Sequence, residues 1–448
     1  MTDAVSDPRT AAHFRRYRRD AVLLRRPYPP HRGRVTHSKF GGLPNLPAHH
    51  PWPVTSKGVP LHFLAQIDCA DIGFATPLPD RGMLFFFGRD DEEQIWNYEG
   101  SASDDCRVLY VLDAFAATPP RPAPADLPPI GGGHQPYTAW SDYLRNGEPG
   151  PNVHVEWPID PVPIDSWPDA DPNSLAEAAG DWRAKLIGYL RPAPEKTWQD
   201  REIQLRDYGA ELEALRTETF ARATGQIYEG EPSYKLKGKA ASAIFFHAET
   251  GPQAYPQRWI AVHYAARAIL HRPTILLGSD PALQAQLFTR ADAWLKRSNA
   301  AGMDAPVPES DRAEFRAWLE GVRDPAIDGP LSMGTERVIF ASLVATIRTY
   351  AGDRGRAAHL SDHSYAAMRF YFSGFTSLGT KFSQMLGHAP SAQEPLALDD
   401  PTVCLLNFAS EDALGWMFGD VGNATFWIAP DDLARRDFTK VWATLAGH

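Results

Sequence analysis

Leu414-Gly415-Trp416-Met417-Phe418-Gly419-Asp420, then Ala424-Thr425-Phe426-Trp427-Ile428, then Asp431-Asp432-Leu433 and Phe438-Thr439-Lys440-Val441-Trp442 put three tryptophans, paired acids and a tight turn from Gly419 to Gly422 into one short run. Thr402 to Phe408 just before it, Thr425 to Ile428 within it and Val441 to Leu445 at its end read as strands. Each is a short β-branched and aromatic run bounded by turn formers. Pro430-Asp431-Asp432-Leu433 reads as a helical turn, with proline at its start and acids in its first turn.

The same pattern occurs earlier in the chain. Superposed without gaps at an offset of 341, Leu64 falls on Leu405, Gln66 on Asn407, Asp71 on Asp412, and Phe85-Phe86 on Phe426-Trp427. Each copy reads as a strand with an internal amide residue, an acidic turn and an aromatic strand. A true duplication would give Gln66 and Asn407 related positions. A buried amide on a strand ties down neighbouring backbone rather than doing chemistry.

Working outward, residues 38–116 read as β-rich, with strands at Leu61 to Ile67, Met83 to Gly88 and Arg107 to Leu112. The alternation of Val153, Val155, Trp157 and Ile159 predicts one or two strands over 152–165, placed at an edge by Pro158 and Pro161. Residues 10–26 read as an amphipathic helix, with Phe14, Tyr17, Ala21 and Leu24 on one face and arginines on the other. From about 174 to 355 the period changes to helical, with candidates at 174–190, 198–224, 258–271, 281–299, 310–320 and 334–351. Ala366 to Ser373 is a further apolar run. The expected class is α+β: a β-rich domain built from residues 1–175 and 356–448, with an inserted all-α domain at 176–355.

Composition fits an ordinary globular protein, at 43% hydrophobic and 22% charged residues. The net charge is −10, and residues 1–34 hold nine arginines against three aspartates, so the body is more acidic still. An acidic body is a poor general nucleic-acid binder, because phosphate affinity is carried by Lys and Arg. No apolar run is long enough to span a bilayer. Three cysteines without a C-x-x-C pair fit a reducing compartment, so a cytoplasmic location is expected.

Several blocks then resemble one family in order. They are Lys39-Phe40-Gly41-Gly42-Leu43-Pro44, Trp52-Pro53, Leu61 to Asp68 and Gly82 to Phe87 in the first part. In the second part they are Gln384-Met385-Leu386-Gly387-His388, Leu405-Leu406, Asp412, Leu414 to Met417, Gly419-Asp420, Phe426-Trp427-Ile428, Asp432-Leu433, Phe438 and Val441-Trp442. These resemble the YwqG-like family, a bacterial group of unknown function. The resemblance implies a mixed, β-rich fold and supplies no catalytic residues. The chain departs from the family pattern at Ser383, where the family has His, and at Asn407-Phe408-Ala409, where it has Gln-Ile-Asp. The helical segment reads as an insertion relative to compact members.

Candidate chemistry is sparse. Nucleotide loops, a nucleophile elbow and a His-Glu-x-x-His motif are all missing from the sequence. Gly131-Gly132-Gly133 lacks the Lys-Ser/Thr of a phosphate loop and reads as a connection. His49-His50 and His62 invite a metal, but adjacent histidines rarely face one ion, so no metal and no cofactor is expected. Asp90-Asp91-Glu92-Glu93 reads as a solvated turn. Trp52, Trp96, Trp416 and Trp427 lie near loops and suit a pocket or an interface. Candidate ligand-binding residues are Lys39, Gln66, His388, Trp416 and Asp420, with no catalytic assignment. The expected function is a non-enzymatic protein-binding factor of immunity or accessory type, with a basic partner. The alternative is a hydrolase or small-ligand binder with its pocket between the two β-rich parts.

Overall fold

Met83-Leu84-Phe85-Phe86-Phe87 is buried along its whole length, which requires cover on both faces of a strand. Met83, Phe85 and Phe87 enter one apolar cluster and Leu84 and Phe86 another, the period of two that an extended chain imposes. The computed structural model describes residues 18–26, 37–91, 104–114, 117–133, 152–166, 256–270, 281–321, 323–324, 329–330, 342, 345–346, 349, 383–389, 400–410, 414, 416–419 and 422–447.

The strands are β1 (Arg19–Arg25), β2 (Lys39–Phe40), β3 (His62–Asp68), β4 (Met83–Gly88), β5 (Cys106–Val111), β6 (Trp157–Pro158), β7 (Asp160–Ser166), β8 (Arg323–Asp324), β9 (Gly329–Pro330), β10 (Gln384–Leu386), β11 (Val403–Ala409), β12 (Asn423–Ile428) and β13 (Trp442–Ala446). The helices are α1 (Cys69–Ile72), α2 (Trp259–Leu270), α3 (Pro281–Ala301), α4 (Glu309–Gly321) and α5 (Pro430–Arg435). One antiparallel sheet runs β5-β4-β3-β2-β6 and the other β13-β12-β11-β10-β1-β7. The described fold is thus mostly β with some α. Proline-bearing β6 and β7 lie at sheet edges, as their sequence requires.

The two sheets repeat one arrangement. Lys39 pairs with Gln66 and Gln66 with Phe85 in the first; Gln384 pairs with Asn407 and Asn407 with Thr425 in the second. The register shifts between Phe63 and Ala65 in one, and between Cys404 and Leu406 in the other, the same place in each. After the short leading strand, each repeat turns through two successive left-handed residues. They are Gly41 and Gly42 (φ 56° and 70°), and Leu386 and Gly387 (φ 62° and 68°). The ungapped echo is one residue out in the aromatic strand. Phe86, opposite Ala65, corresponds to Phe426, opposite Leu406, because the second connection is one residue shorter.

The residues that correspond also pack together. The Phe86 and Phe426 rings meet at 5.5 Å; beside them Phe40, which corresponds to Met385 rather than Phe408, meets Phe408 at 6.0 Å, so the inner faces of the sheets form a shared core. On the other face of β11 and β12 a polar ladder forms. Asn407 Nδ2 donates to Thr425 Oγ1 (2.7 Å), and Asn423 Nδ2 donates to Asn407 Oδ1 (3.0 Å).

The expected helix at 10–26 is overturned over Arg19–Arg25, which is a strand between β7 and β10. Ala21-Val22-Leu23-Leu24 are all buried; Ala21 and Leu23 face one cluster, Val22 and Leu24 the other. A helix would hide one stripe; this run needs two faces covered. Its arginines meet internal partners. Arg25 pairs with Asp160 at 2.8 Å, and Arg26 lies 4.7 Å over the Trp157 ring.

Within 176–355, helices α2, α3 and α4 match expectation, and Ser342, Ala345, Thr346 and Thr349 are helical. Trp294 packs on Trp259, Phe315 and Trp318, tying these three helices together, and the main apolar cluster continues into them. The segment also holds the ribbon of β8 and β9, so it is not wholly helical. The expected helices at 174–190 and 198–224 and the apolar run at 366–373 lie outside the described residues.

Candidate functional site

Lys39 and Gln66 are paired neighbours on β2 and β3, on the strand faces opposite Phe40, Ala65 and Ile67 of the shared core. Lys39, on β2, is 8% exposed, and its Nζ donates to Glu156 Oε2 (2.7 Å) and to the Leu43 carbonyl (2.8 Å). Gln384 does the equivalent work on β10, where its Nε2 donates to the carbonyls of Leu386 (2.9 Å) and His388 (2.7 Å). In both repeats a side chain holds the carbonyl four residues on, closing the left-handed turn. His388 therefore corresponds to Leu43. Its carbonyl accepts from Gln384, and its N–H donates to Ser166 Oγ at 2.8 Å.

Gln66 is buried and fully engaged. Its Oε1 accepts from Asn45 N–H (2.9 Å), and its Nε2 donates to the His37 carbonyl (2.8 Å) and Asn45 Oδ1 (2.9 Å). The amide fastens the backbone on either side of the β2 turn, the role its place on a buried strand suggested. Nearby, Asp71 Oδ2 accepts from His37 N–H, Ser38 N–H and Ser38 Oγ, while Asp68 caps α1 through the N–H of Ala70. His37, Asp68 and Asp71 could jointly face an ion, but their oxygens already close this turn.

Trp416 is not a surface anchor. It is 1% exposed, with its ring against Phe40 (5.0 Å), Phe408 (5.3 Å), Phe418 (5.8 Å) and His154 (5.9 Å). Its indole N–H donates to His154 Nδ1 at 3.1 Å, a buried bond between parts of the chain 262 residues apart. With Nδ1 accepting, a neutral His154 carries its proton on Nε2. That nitrogen lies 3.3 Å from Asp90 Oδ2 but out of hydrogen-bond alignment. His62 completes the group: it accepts from the Asp90 N–H at Nδ1 (3.2 Å) and donates from Nε2 to the Pro128 carbonyl (2.9 Å). Burial first, and then the neighbouring His154, push the His62 pKa below its ordinary value of 6.5.

This group corrects the reading of the acidic run at Asp90-Asp91; Glu92-Glu93 lie outside the described residues. Asp90 is 1% and Asp91 8% exposed, not solvated. Asp91 accepts from Arg89 Nε, and the Asp90 carbonyl accepts from the N–H of Gly131, which lies in a single 3₁₀ turn at Ile130–Gly133. His154 escaped the sequence reading because it stands between two valines. The signal was its phase: it occupies the opposite face to Val153 and Val155 in an alternating run.

Asp420 lies outside the described residues. On either side of it, Ser410 ties described residues together: its hydroxyl donates to the Gly422 carbonyl (2.7 Å) and accepts from Phe418 N–H (2.9 Å). The thiols are poor nucleophiles. Burial, and then Asp68, push Cys69 up to about 12, and burial raises Cys404 further.

Sheet pairing, repeated turns and the buried His154 bond define an internally duplicated antiparallel β protein whose halves are bolted through their core. Residues 38–200 and 306–446 match the family described as Domain of unknown function (DUF1963), and the chain belongs to that family. The match passes over 201–305. No curated protein matches the chain.

Proposed function

We propose that this protein is a non-enzymatic factor that binds a protein partner, in the manner of an immunity or accessory protein. One observation carries the reading: Lys39, Gln66 and Trp416, chosen as chemistry-bearing, have their polar atoms engaged in holding the fold. A net charge of −10 suits a basic partner and disfavours nucleic acid. Among the described residues no helix is long and apolar enough to cross a membrane, and we place the protein in the cytoplasm. We take the family to be the YwqG-like group, built from 1–175 and 356–448. The helical insertion, proposed for 176–355, centres on the stretch the family match passes over.

The test is affinity capture with the full chain from native lysate of the source cell. A partner that returns reproducibly and is released by raised salt supports the reading. Repeated capture without one overturns it.

A second reading, a hydrolase or small-ligand binder at the seam, is favoured by His154 Nε2. It is buried, out of hydrogen-bond alignment, and faces a carboxylate. Substituting His154→Gln and screening hydrolytic activity against the parent chain separates the two. Activity that depends on His154 in a folded protein would displace the binding reading.

A further inference from the structure

His49 and His50 lie between Pro47 and Pro51, on the loop that leads into Trp52. Neighbouring side chains on an extended segment point apart. Here the His50 N–H donates back to the Pro47 carbonyl (3.1 Å), and the loop turns. The two imidazoles end up beside each other, centroids 4.4 Å apart. Both rings face one carboxylate. His49 Nε2 lies 3.1 Å from Asp113 Oδ2, and His50 Nε2 lies 3.4 Å from Asp113 Oδ1. The three ligand atoms fall within 4.8 Å of one another.

We propose that His49, His50 and Asp113 form a binding site for a divalent transition-metal ion of the zinc class. Two imidazole nitrogens and one carboxylate oxygen are a borderline donor set, the kind that suits zinc and its neighbours. Three protein ligands leave a position for water. Magnesium and calcium prefer all-oxygen shells, so this set disfavours them.

The scaffold is fixed before any ion arrives. Leu46 and Trp52 flank the histidines, Val111 and Ala114 flank Asp113, and all four are buried in one apolar cluster. The Trp52 indole N–H donates to the Leu61 carbonyl (2.9 Å), and Arg121 donates to the His50 carbonyl. The Arg121 N–H in turn donates to the Pro44 carbonyl at 2.8 Å, which holds the Pro-rich segment under the loop. The ligands themselves are open to solvent, with His49 and Asp113 side chains 64% and 55% exposed. An ion has a path in, and would replace the two imidazole–carboxylate contacts with its own bonds.

The experiment is isothermal titration of tag-free, full-length protein with zinc chloride, with magnesium chloride as the control. One saturable zinc site and no magnesium uptake are expected. His50→Ala and Asp113→Ala should each weaken zinc binding at least as much as loss of an outer-sphere partner does, roughly 10–100-fold. Metal-free melting curves of both variants should match the parent, since the residues sit on the surface, so lost binding is separated from lost folding. Absence of saturable zinc uptake, or uptake unchanged in the His49→Ala/His50→Ala double variant, overturns the proposal.

Discussion

Phe86 and Phe426 stand at the same position in the two sheets, and their rings meet edge to face, 5.5 Å apart at 89°. Both are fully buried. The contact between corresponding residues makes the duplication energetic as well as geometric, because each half supplies the other's core. Replacing either phenylalanine with alanine should cost about 3–5 kcal/mol. The pair should be non-additive, with the double variant differing from the summed singles by about 0.5–3 kcal/mol. Denaturant midpoints of the four proteins give the coupling. Simple additivity would mean that the halves do not depend on this contact.

The repeated left-handed turns predict an asymmetric response to substitution. At the first left-handed position one repeat has Gly41 and the other Leu386. A Cβ on Gly41 would lie 2.2 Å from the Val155 carbonyl oxygen, a backbone atom that cannot step aside. Gly41→Ala combines this overlap with left-handed strain of about 1–2 kcal/mol. It should lower the melting temperature sharply, or abolish cooperative unfolding. A variant that melts like the parent would show that the segment carrying Val155 gives way freely.

His62 predicts an acid limb in the stability curve. Its folded pKa lies below its ordinary 6.5 because it is buried beside His154. Between those two values the unfolded chain binds more protons, so stability rises with pH there. The contribution is complete above 6.5 and is lost as pH falls through the folded value. His263 is shifted the same way by burial and then by Arg267, and adds to the slope. Urea midpoints from about pH 8 to about pH 5 should fall on the acid side. His62→Gln should flatten that fall; an unchanged slope would remove His62 as its source.

The cysteines predict silence toward thiol reagents. Cys69, Cys106 and Cys404 are all buried, and burial raises the pKa of Cys69 and Cys404. A disulfide-exchange reagent at neutral pH should label the native chain slowly, and all three sites quickly after denaturation. Rapid labelling of one thiol in the folded protein would reveal an exposed, activated cysteine and reopen nucleophilic chemistry.

Aromatic density made β3, β4, β11 and β12 legible, because strands covered on both faces need continuous apolar runs. The amide echo of Gln66 and Asn407 also survived, as did the edge placement that Pro158 and Pro161 forced. Strand β1 was misread because its arginines mimic a polar helical face, although Arg25 is drawn to Asp160 on a paired strand. From their local setting Trp416 reads as lining a pocket or an interface and Asp90 as part of a solvated turn. Both meet His154, which is remote in sequence, and no local pattern encodes that meeting. The convergence of His49 and His50 was likewise hidden, because it depends on Asp113 arriving from the turn after β5.

Strands β1 and β7 belong to the early part of the chain, yet they pair in the sheet completed by β10 to β13. During synthesis that pair emerges long before its neighbour, and the β10 side of β1 stays open until the last strands leave the ribosome. An unpaired strand edge is a template for wrong partners, so the growing chain has a long interval of exposure. A chain stopped just before Gln384 should aggregate or be held by chaperones. A soluble, monomeric truncation would show that another segment shields the edge in the meantime.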